Sequence, residues 1–193
     1  MTASLTVLNE ENYLRLLSHA SQTSDFVYVG SVGNQGNRGR LAGFSTNALR
    51  AVSIPAAVSV DEKFHSDHVA VEMESLVDKY LLEDCTNSDF LPGGWIGFLT
   101  YELGYVRERR LRNSCPELPL PLMQAGFYLW TASKNRETGA YYLWIHNECP
   151  QDTRNVIARW LREPATDKPK WKIEAPFLPR QTAKDFKLGV QHV

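Results

Sequence analysis

The sequence has few cysteines, and their spacing matches no metal-binding or disulfide pattern. Its 193 residues include only Cys85, Cys115 and Cys149, which are odd in number and far apart. Because no Cys-x-x-Cys pair exists, we predict neither a zinc site nor a disulfide framework. The simplest interpretation is a protein of a reducing compartment.

Long apolar runs and an excess of charge of either sign are also missing. No apolar segment approaches the roughly 20 residues that a membrane span needs, and residues 1–7 lack the basic and apolar regions of a signal peptide. The 21 basic and 22 acidic residues give a net charge of −1, which offers no electrostatic case for binding nucleic acid or an anionic membrane. We therefore expect a cytoplasmic protein whose partners are neither nucleic acid nor membrane.

Catalytic and nucleotide-binding motifs are absent as well. The sequence contains no Gly-x-Ser-x-Gly, and the glycine-rich residues 30–39 match neither a Walker A motif nor GxGxxG. We interpret that stretch as a flexible loop, with a ligand-facing loop as the alternative. His65, His68 and Glu72 have helical spacing, but they straddle a predicted helix start and lack a third convincing ligand, so solvated cap residues are expected. We predict no catalytic residue, no metal ligand and no cofactor in this chain.

What the sequence does contain is ample material for a packed core, since 43% of its residues are hydrophobic and 11% aromatic. Cap residues and helical periodicity predict helices, and short aromatic or β-branched runs predict strands. The helices are expected to begin at Asn9, at Ser66 or Asp67, at Asp152 and at Thr182, and the strands to lie at residues 26–29, 41–44, 48–60, 95–101, 125–132 and 140–146. This order predicts an α+β fold with an antiparallel, sandwich-like β-sheet and packed helices.

The segment at residues 90–108 is rich in aromatic residues and contains a proline and several glycines, which restrict the conformations its backbone can adopt. Residues 92–94, Pro-Gly-Gly, interrupt any preceding element, and residues 95–101 predict a buried, aromatic-rich strand. Within that strand, Gly97 allows another backbone or a side chain to approach closely. Residues 102–108 predict a short helical turn. We expect this segment to be a packing centre and not a site of chemistry.

Composition predicts one main domain followed by a linker. Residues 1–163 read as an N-terminal α+β domain, and residues 164–180 are polar and proline-bearing, as expected of a linker. Thr182 and Asp185 have the spacing of a capping box that opens a further helix at residues 181–193. Phe186 and Val190 give this helix an apolar face that must be buried against something.

Three segments carry a resemblance to a known family. The first is Gly-Gly-Trp-Ile-Gly-Phe-Leu-Thr-Tyr-Glu-Leu-Gly at residues 93–104, and the second is Leu-Pro-Leu-Pro-Leu-Met-Gln-Ala-Gly-Phe-Tyr-Leu-Trp at residues 118–130. The third joins Tyr-Val-Gly-Ser at residues 28–31 to Gly-Arg-Leu at residues 39–41. Together they resemble the N-terminal domain of component I of anthranilate synthase and, more closely, of para-aminobenzoate (aminodeoxychorismate) synthase. The resemblance covers nearly the whole chain.

The sequence departs from the family pattern at named positions. Glu102 replaces an aspartate, Tyr105 replaces an arginine, and Arg38-Gly39 stands before Arg40 where the family tends to have Tyr-Ser. The resemblance also implies that residues 181–193 open a chorismate-binding catalytic domain whose Gly-Asp-x-Tyr-Gln-x-Asn motif lies beyond this chain. In the family that domain holds the chorismate-binding groups, the acid/base residues and the Mg²⁺-ligating glutamates.

The resemblance therefore implies a non-catalytic, truncated N-terminal domain that is inactive alone. With its catalytic domain and a glutamine amidotransferase subunit, the full-length protein is expected to convert chorismate to 4-amino-4-deoxychorismate for folate biosynthesis. An anthranilate synthase domain of tryptophan biosynthesis is one alternative. A stand-alone module that binds tryptophan or docks on a separate catalytic domain is the other.

By position in the family pattern, Ser31, Arg40 and Leu41 are the candidate ligand-binding residues. They would form one half of a tryptophan pocket whose other half belongs to the catalytic domain. A serine hydroxyl can accept a hydrogen bond from an ammonium group, and an arginine suits a carboxylate. The competing interpretation is structural, with Ser31 ending a strand and Arg40 solvated.

Overall fold

The computed structural model describes residues 3–30, 39–55, 62–80, 89–101, 103, 120–166, 174 and 182–191, and for residues 62–67 and 189 it describes the backbone alone. The strands within these ranges are β1 (Ala3–Leu8), β2 (Val27–Val29), β3 (Leu41–Ser45), β4 (Arg50–Ile54), β5 (Gly94–Leu99), β6 (Met123–Tyr128), β7 (Trp130–Asn135) and β8 (Tyr141–His146). The helices are α1 (Glu10–Ala20), α2 (Glu62–Tyr80), α3 (Gln151–Trp160) and α4 (Ala183–Gln191). The predicted α+β class is confirmed. None of the described helices is long and apolar enough to cross a bilayer.

The described strands form two antiparallel sheets. Sheet A has five strands in the order β1-β8-β7-β3-β2, and sheet B has three in the order β4-β6-β5. The chain passes from sheet B to sheet A at Leu129, whose carbonyl accepts a hydrogen bond of 2.9 Å from the backbone N–H of His146. Residues 125–132 were predicted as one strand, and this prediction is wrong in that the run is divided between the two sheets at Leu129.

The larger hydrophobic core lies between one face of sheet A and the helices α1 and α3, and it extends to Phe127 of sheet B and Tyr80 of α2. Leu16 of α1 is fully buried, as are Phe44 and Trp130 of the sheet, and Ile157 and Trp160 of α3 are also buried. The rings of Phe44 and Trp130 meet edge to face at a centroid distance of 6.2 Å, which is a favoured aromatic geometry. This core holds the two helices on the sheet.

Helix α1 begins where the sequence predicts. The Asn9 side chain accepts a hydrogen bond of 2.8 Å from the backbone N–H of Asn12, which satisfies one of the free N–H groups of the first turn. Leu8 and Tyr13 are both buried in the larger core, as expected for a hydrophobic staple. The predicted apolar face at Tyr13, Leu16, Leu17 and Ala20 is confirmed, with Leu17 partly buried against the larger core.

Helix α2 packs on sheet B and forms the smaller core. Val69 of α2 is buried with Val52, Ile54 and Met123 of the sheet. The predicted cap at Ser66 or Asp67 is wrong, because the helix already includes Glu62. Serine and aspartate favour N-caps, but their weak helix propensity is readily outweighed by the packing of a long helix.

In strand β5 the close approach predicted at Gly97 is confirmed, but the prediction that residues 95–101 are buried is wrong. A Cβ atom at Gly97 would lie 2.5 Å from the Cα and 2.6 Å from the Cβ of Ala125, its partner on β6. The strand is not buried along its length, because Phe98, Leu99 and Tyr101 are 43%, 66% and 84% exposed. β5 is an edge strand of sheet B, so its far end lacks a covering layer among the described residues. Most of the predicted turn at residues 102–108 lies outside the described residues.

Two further predictions of the sequence need correction. Residues 26–29 were predicted to be a buried strand, but Tyr28 and Val29 of β2 are exposed, because β2 lies at the edge of sheet A. Asp152 was predicted to cap α3, but the helix begins at Gln151 after Pro150, without a side-chain cap. Asp152 instead lies in the first turn, where its charge suits the helix dipole.

The linker and the last helix are described in part. Thr166, near the start of the predicted linker, is held by α1: its backbone N–H donates to Ser18 Oγ at 3.1 Å and its hydroxyl donates to the Ser18 carbonyl at 3.0 Å. At α4, the backbone N–H of Asp185 donates to Thr182 Oγ1 at 3.2 Å, so the predicted N-terminal cap is confirmed. Phe186, Leu188 and Val190 of α4 are exposed.

Candidate functional site

The structure places Arg40 and Leu41 together at one end of sheet A. Arg40 precedes β3 and Leu41 is its first residue, opposite Asn135 of β7. The Arg40 carbonyl accepts a hydrogen bond of 2.8 Å from the backbone N–H of Arg136. The position of the Arg40 main chain is therefore fixed by the hairpin that joins β7 to β8. Ser31, the third candidate residue, lies outside the described residues.

The Arg40 guanidinium lies against Asp89. Its Nη1 is 3.0 Å from Asp89 Oδ1, and the Arg40 side chain is three-quarters buried, with 25% of its area exposed. The same carboxylate oxygen accepts a hydrogen bond of 3.1 Å from Asn135 Nδ2. Arg40 therefore belongs to a polar network at the protein surface and is not simply solvated. A guanidinium held in this way presents a planar set of N–H donors of the kind that binds carboxylates.

Asn135 connects this network to the hairpin between β7 and β8. Its side chain is fully buried, and its Oδ1 accepts hydrogen bonds from the backbone N–H groups of Glu137 at 3.0 Å and Thr138 at 3.3 Å. The hairpin loop, in which Gly139 has a φ of 72°, is thus tied to Asn135, and Asn135 is tied to Asp89. Sequence reasoning missed both residues because they lie far along the chain from Arg40 and carry no motif.

A second polar cluster surrounds Asp25, in the loop between α1 and β2. Its carboxylate accepts hydrogen bonds from the Thr46 hydroxyl and from the backbone N–H of Ala48, the latter at 2.7 Å. The Tyr128 hydroxyl donates to the Asp25 carbonyl at 3.0 Å. This cluster joins α1, the turn after β3 and sheet B. Nothing in the local sequence distinguishes Asp25 from a solvated loop aspartate.

Hydrogen bonding decides the ionisation of Asp25. Burial alone would raise the pKa of its carboxyl, but the donors from Thr46 and from the turn after β3 outweigh burial and lower the pKa below its usual value. Burial, together with the nearby Asp25 charge, raises the pKa of Tyr128 to about 12. At neutral pH the cluster therefore consists of a carboxylate and a neutral phenol.

The Asp25 cluster should make the free energy of unfolding decrease at acid pH. Because the folded state lowers the pKa of Asp25, its contribution is present above the unfolded value of about 3.9 and is lost as the pH falls through the folded pKa. We expect Asp25→Asn to lower the free energy of unfolding by about 2 kcal/mol at neutral pH, since the amide has one acceptor oxygen where the carboxylate has two and its remaining hydrogen bonds lose their charge assistance. The difference from the unmodified chain should shrink below about pH 4.

Urea unfolding followed by circular dichroism at a series of pH values measures this difference. Asp78→Asn provides the control, because Asp78 is an exposed carboxylate on α2 and should change stability by less than about 0.5 kcal/mol. An Asp25→Asn effect of equal size at neutral and acid pH would contradict the assignment.

A cleft of about 320 Å³ opens on the outer face of sheet B. Ala51, Gly126 and Ile96 lie side by side across its floor, and Asp25 and Phe26 stand at one end. The floor is mostly apolar. The Asp25 carboxylate at its end is already bonded to Thr46 and Ala48, and the polar side chains of Ser53 and Gln124 also line the cleft.

The histidines noted in the sequence form no site in the part of the chain that the structure describes. Glu72 forms an ion pair with Arg50 of β4, and His68 is exposed; the side chain of His65 lies outside the described residues. Among the described residues, no group of three or more His, Cys, Asp or Glu side chains is placed to hold a metal ion.

Comparisons with known proteins do not identify a family for this chain. A scan of the sequence against models of protein families gives no match, and a search of curated proteins finds no significantly similar sequence.

Proposed function

We propose that this chain is the non-catalytic N-terminal domain of a component I-like protein of para-aminobenzoate (aminodeoxychorismate) synthase. In the complete enzyme, a chorismate-binding catalytic domain converts chorismate to 4-amino-4-deoxychorismate, using Mg²⁺ and ammonia from a glutamine amidotransferase subunit. The role of this chain is to support that catalytic domain and not to perform the chemistry.

One observation carries the proposal: the parts of the sequence that resemble the family lie on strands that pair with each other. Residues 28–29 lie on β2, which pairs with β3, the strand that begins at Leu41. The glycine-rich segment at residues 94–99 forms β5 and pairs with β6, which carries the second segment.

Helix α4, by the resemblance the first helix of the catalytic domain, presents a surface that the rest of that domain would cover. Phe186 and Val190 are 58% and 61% exposed, and they lie one turn apart on the helix. An exposed apolar stripe on a well-capped helix is typical of a contact surface. We therefore assign this stripe to the contact with the rest of the catalytic domain.

The proposal predicts that this chain binds the catalytic domain but does not itself convert chorismate. The purified chain should not consume chorismate in the presence of ammonia and Mg²⁺. It should form a complex with a separately produced chorismate-binding domain of an aminodeoxychorismate synthase component I. Phe186→Glu combined with Val190→Glu should weaken that complex about tenfold or more, because charges would replace the apolar contact. Sedimentation velocity and a chorismate consumption assay provide the measurements.

Val71→Glu is the matched control, since Val71 of α2 is an apolar residue with a similar exposure of 63%. It should leave the complex intact. Consumption of chorismate by the chain alone, or the lack of any complex, would overturn the proposal. A parallel titration with the chorismate-binding domain of an anthranilate synthase component I separates this function from the anthranilate synthase alternative, which expects the tighter complex with that domain.

The site at Arg40 supports a second candidate, a tryptophan-binding module. The Arg40–Asp89 network at the surface, in which the Arg40 side chain is three-quarters buried, would present the guanidinium to a ligand carboxylate beside the apolar Leu41 side chain, and Ser31 would contribute its hydroxyl. Isothermal titration with millimolar tryptophan, with Arg40→Ala for comparison, tests this candidate. The lack of binding heat in the unmodified chain would eliminate it.

A further inference from the structure

Among the described residues, strand β1 lies at an edge of sheet A. It pairs on one side with β8 over all six of its residues, from Ala3 opposite His146 to Leu8 opposite Tyr141. On its other side no strand lies among the described residues. Edge strands present a row of backbone N–H and C=O groups that another strand can pair with.

The composition of β1 leaves this edge unprotected. Its sequence, Ala-Ser-Leu-Thr-Val-Leu, contains no charge, no proline and no glycine, which are the usual means of blocking an edge. The other described edges differ: β2 has only three residues, β4 begins with Arg50, and β5 contains two glycines. β1 is therefore the described edge best suited to pair with another strand.

The side chains of β1 add an apolar surface to this edge. Val7 is 71% exposed and Leu5 is 48% exposed. They lie on one face of the strand, opposite Tyr142 and Trp144 of β8. Because successive residues of a strand point to opposite faces, Ser4 and Thr6 lie on the other face. A strand that pairs with β1 would cover Leu5 and Val7 if it carried apolar residues at matching positions.

We propose that two copies of this chain associate through antiparallel pairing of β1 with β1, with Thr6 on the twofold axis. In this register Leu5 of each copy lies opposite Val7 of the other, and the two Thr6 residues face each other. Identical strands paired in this way form an isologous, closed contact. The two five-stranded sheets would join into one sheet of ten strands.

The sequence of β1 favours pairing with β1 of a second copy of the chain. An uncharged strand meets no like-charge repulsion when it pairs with itself. The register above brings the two most exposed apolar residues of β1 into direct cross-strand contact, and a pair of opposed threonines is itself a stabilising arrangement. Because one strand pair buries a small area, the dimer should be weak and depend on concentration.

Cysteine cross-linking tests the register directly. Residues directly opposite in an antiparallel pair have Cα atoms about 4.5–5.5 Å apart, within the span that a disulfide bridges. Thr6→Cys should therefore yield disulfide-linked dimers under mild oxidation. Val7→Cys is the matched control, because in this register the two Val7 positions are offset along the strand and lie more than about 7 Å apart, beyond disulfide reach. Both variants are made in a chain with Cys85→Ser and Cys115→Ser.

Sedimentation equilibrium of the unmodified chain provides the second test. We expect a reversible dimer that Thr6→Lys weakens about tenfold, since it places two like charges opposite each other. Far-UV circular dichroism confirms that each variant is folded. A chain that stays monomeric at millimolar concentration would overturn the proposal, as would equal cross-linking of Thr6→Cys and Val7→Cys or an unchanged dimer in Thr6→Lys.

Discussion

Replacing Gly97 with alanine is expected to lower the free energy of unfolding by about 3 kcal/mol, at the upper end of the cost of adding volume to a packed region. The added Cβ would lie 2.5 Å from Ala125 Cα and 2.6 Å from Ala125 Cβ, and closer still to the Gln124 carbonyl oxygen. Two of these three atoms belong to the backbone of β6. Because β6 is hydrogen-bonded to β4 on one side and to β5 on the other, it cannot move away from β5 without loss of ladder hydrogen bonds.

Gly139→Ala provides the comparison that isolates this steric effect. Gly139 has a φ of 72°, and a Cβ there would meet no atom within 4 Å. Its replacement should cost about 1–2 kcal/mol, from the left-handed backbone conformation alone. Urea unfolding followed by circular dichroism measures both variants. A Gly97→Ala variant as stable as the unmodified chain would show that β5 and β6 do not approach as closely as described.

The features that could be predicted from the sequence are those with a local cause. Asn9 predicts the start of α1, because its side chain caps the N–H of a residue three positions later. Gly97 predicts a close approach of two strands because glycine is the only residue without a Cβ atom. Thr182 and Asp185 predict the start of α4 for the same kind of local reason. Each of these signals is complete within a few residues.

The features that could not be predicted depend on contacts between distant residues. The division of residues 125–132 into two strands has no local signal, because the run is apolar on both sides of Leu129 and the break is set by the sheet that each half joins. The exposure of Phe98 and Leu99 likewise follows from the edge position of β5 and not from their apolar character.

The candidate site likewise depends on contacts between residues that are distant in the sequence. The resemblance directs attention to Arg40, but its partner Asp89 lies 49 positions later in the sequence. Asp89 in turn bonds to Asn135, 46 positions further on. Only the pairing of β3 with β7 brings Leu41 opposite Asn135 and makes the network visible.

Replacing Trp130 with alanine is expected to cost about 3–5 kcal/mol, the usual range for removing a large aromatic side chain from a core. Trp130 is fully buried at the start of β7, where the chain enters sheet A from sheet B. Its ring contacts Phe44 at 6.2 Å and Trp160 at 6.5 Å between centroids, so it joins the sheet to α3. Its indole N–H also donates to the Thr46 carbonyl at 2.7 Å.

Trp130→Phe separates the packing of the ring from its hydrogen bond. It retains most of the apolar contact and leaves the Thr46 carbonyl without this donor, which should cost about 1–3 kcal/mol. Since domains are stable by only about 5–15 kcal/mol, Trp130→Ala should be close to unfolding while Trp130→Phe stays folded. Far-UV circular dichroism during urea unfolding follows both without relying on tryptophan fluorescence.

Tyr101→Ala is the control for the loss of an aromatic ring as such. Tyr101 is 84% exposed, so its removal should change the free energy of unfolding by less than about 0.5 kcal/mol. Of the three variants, Trp130→Ala should be the least stable, Trp130→Phe intermediate and Tyr101→Ala nearest the unmodified chain. If Trp130→Ala cost no more than Tyr101→Ala, Trp130 could not join sheet A to α3 as the structure indicates, because its ring would then contribute nothing to the core.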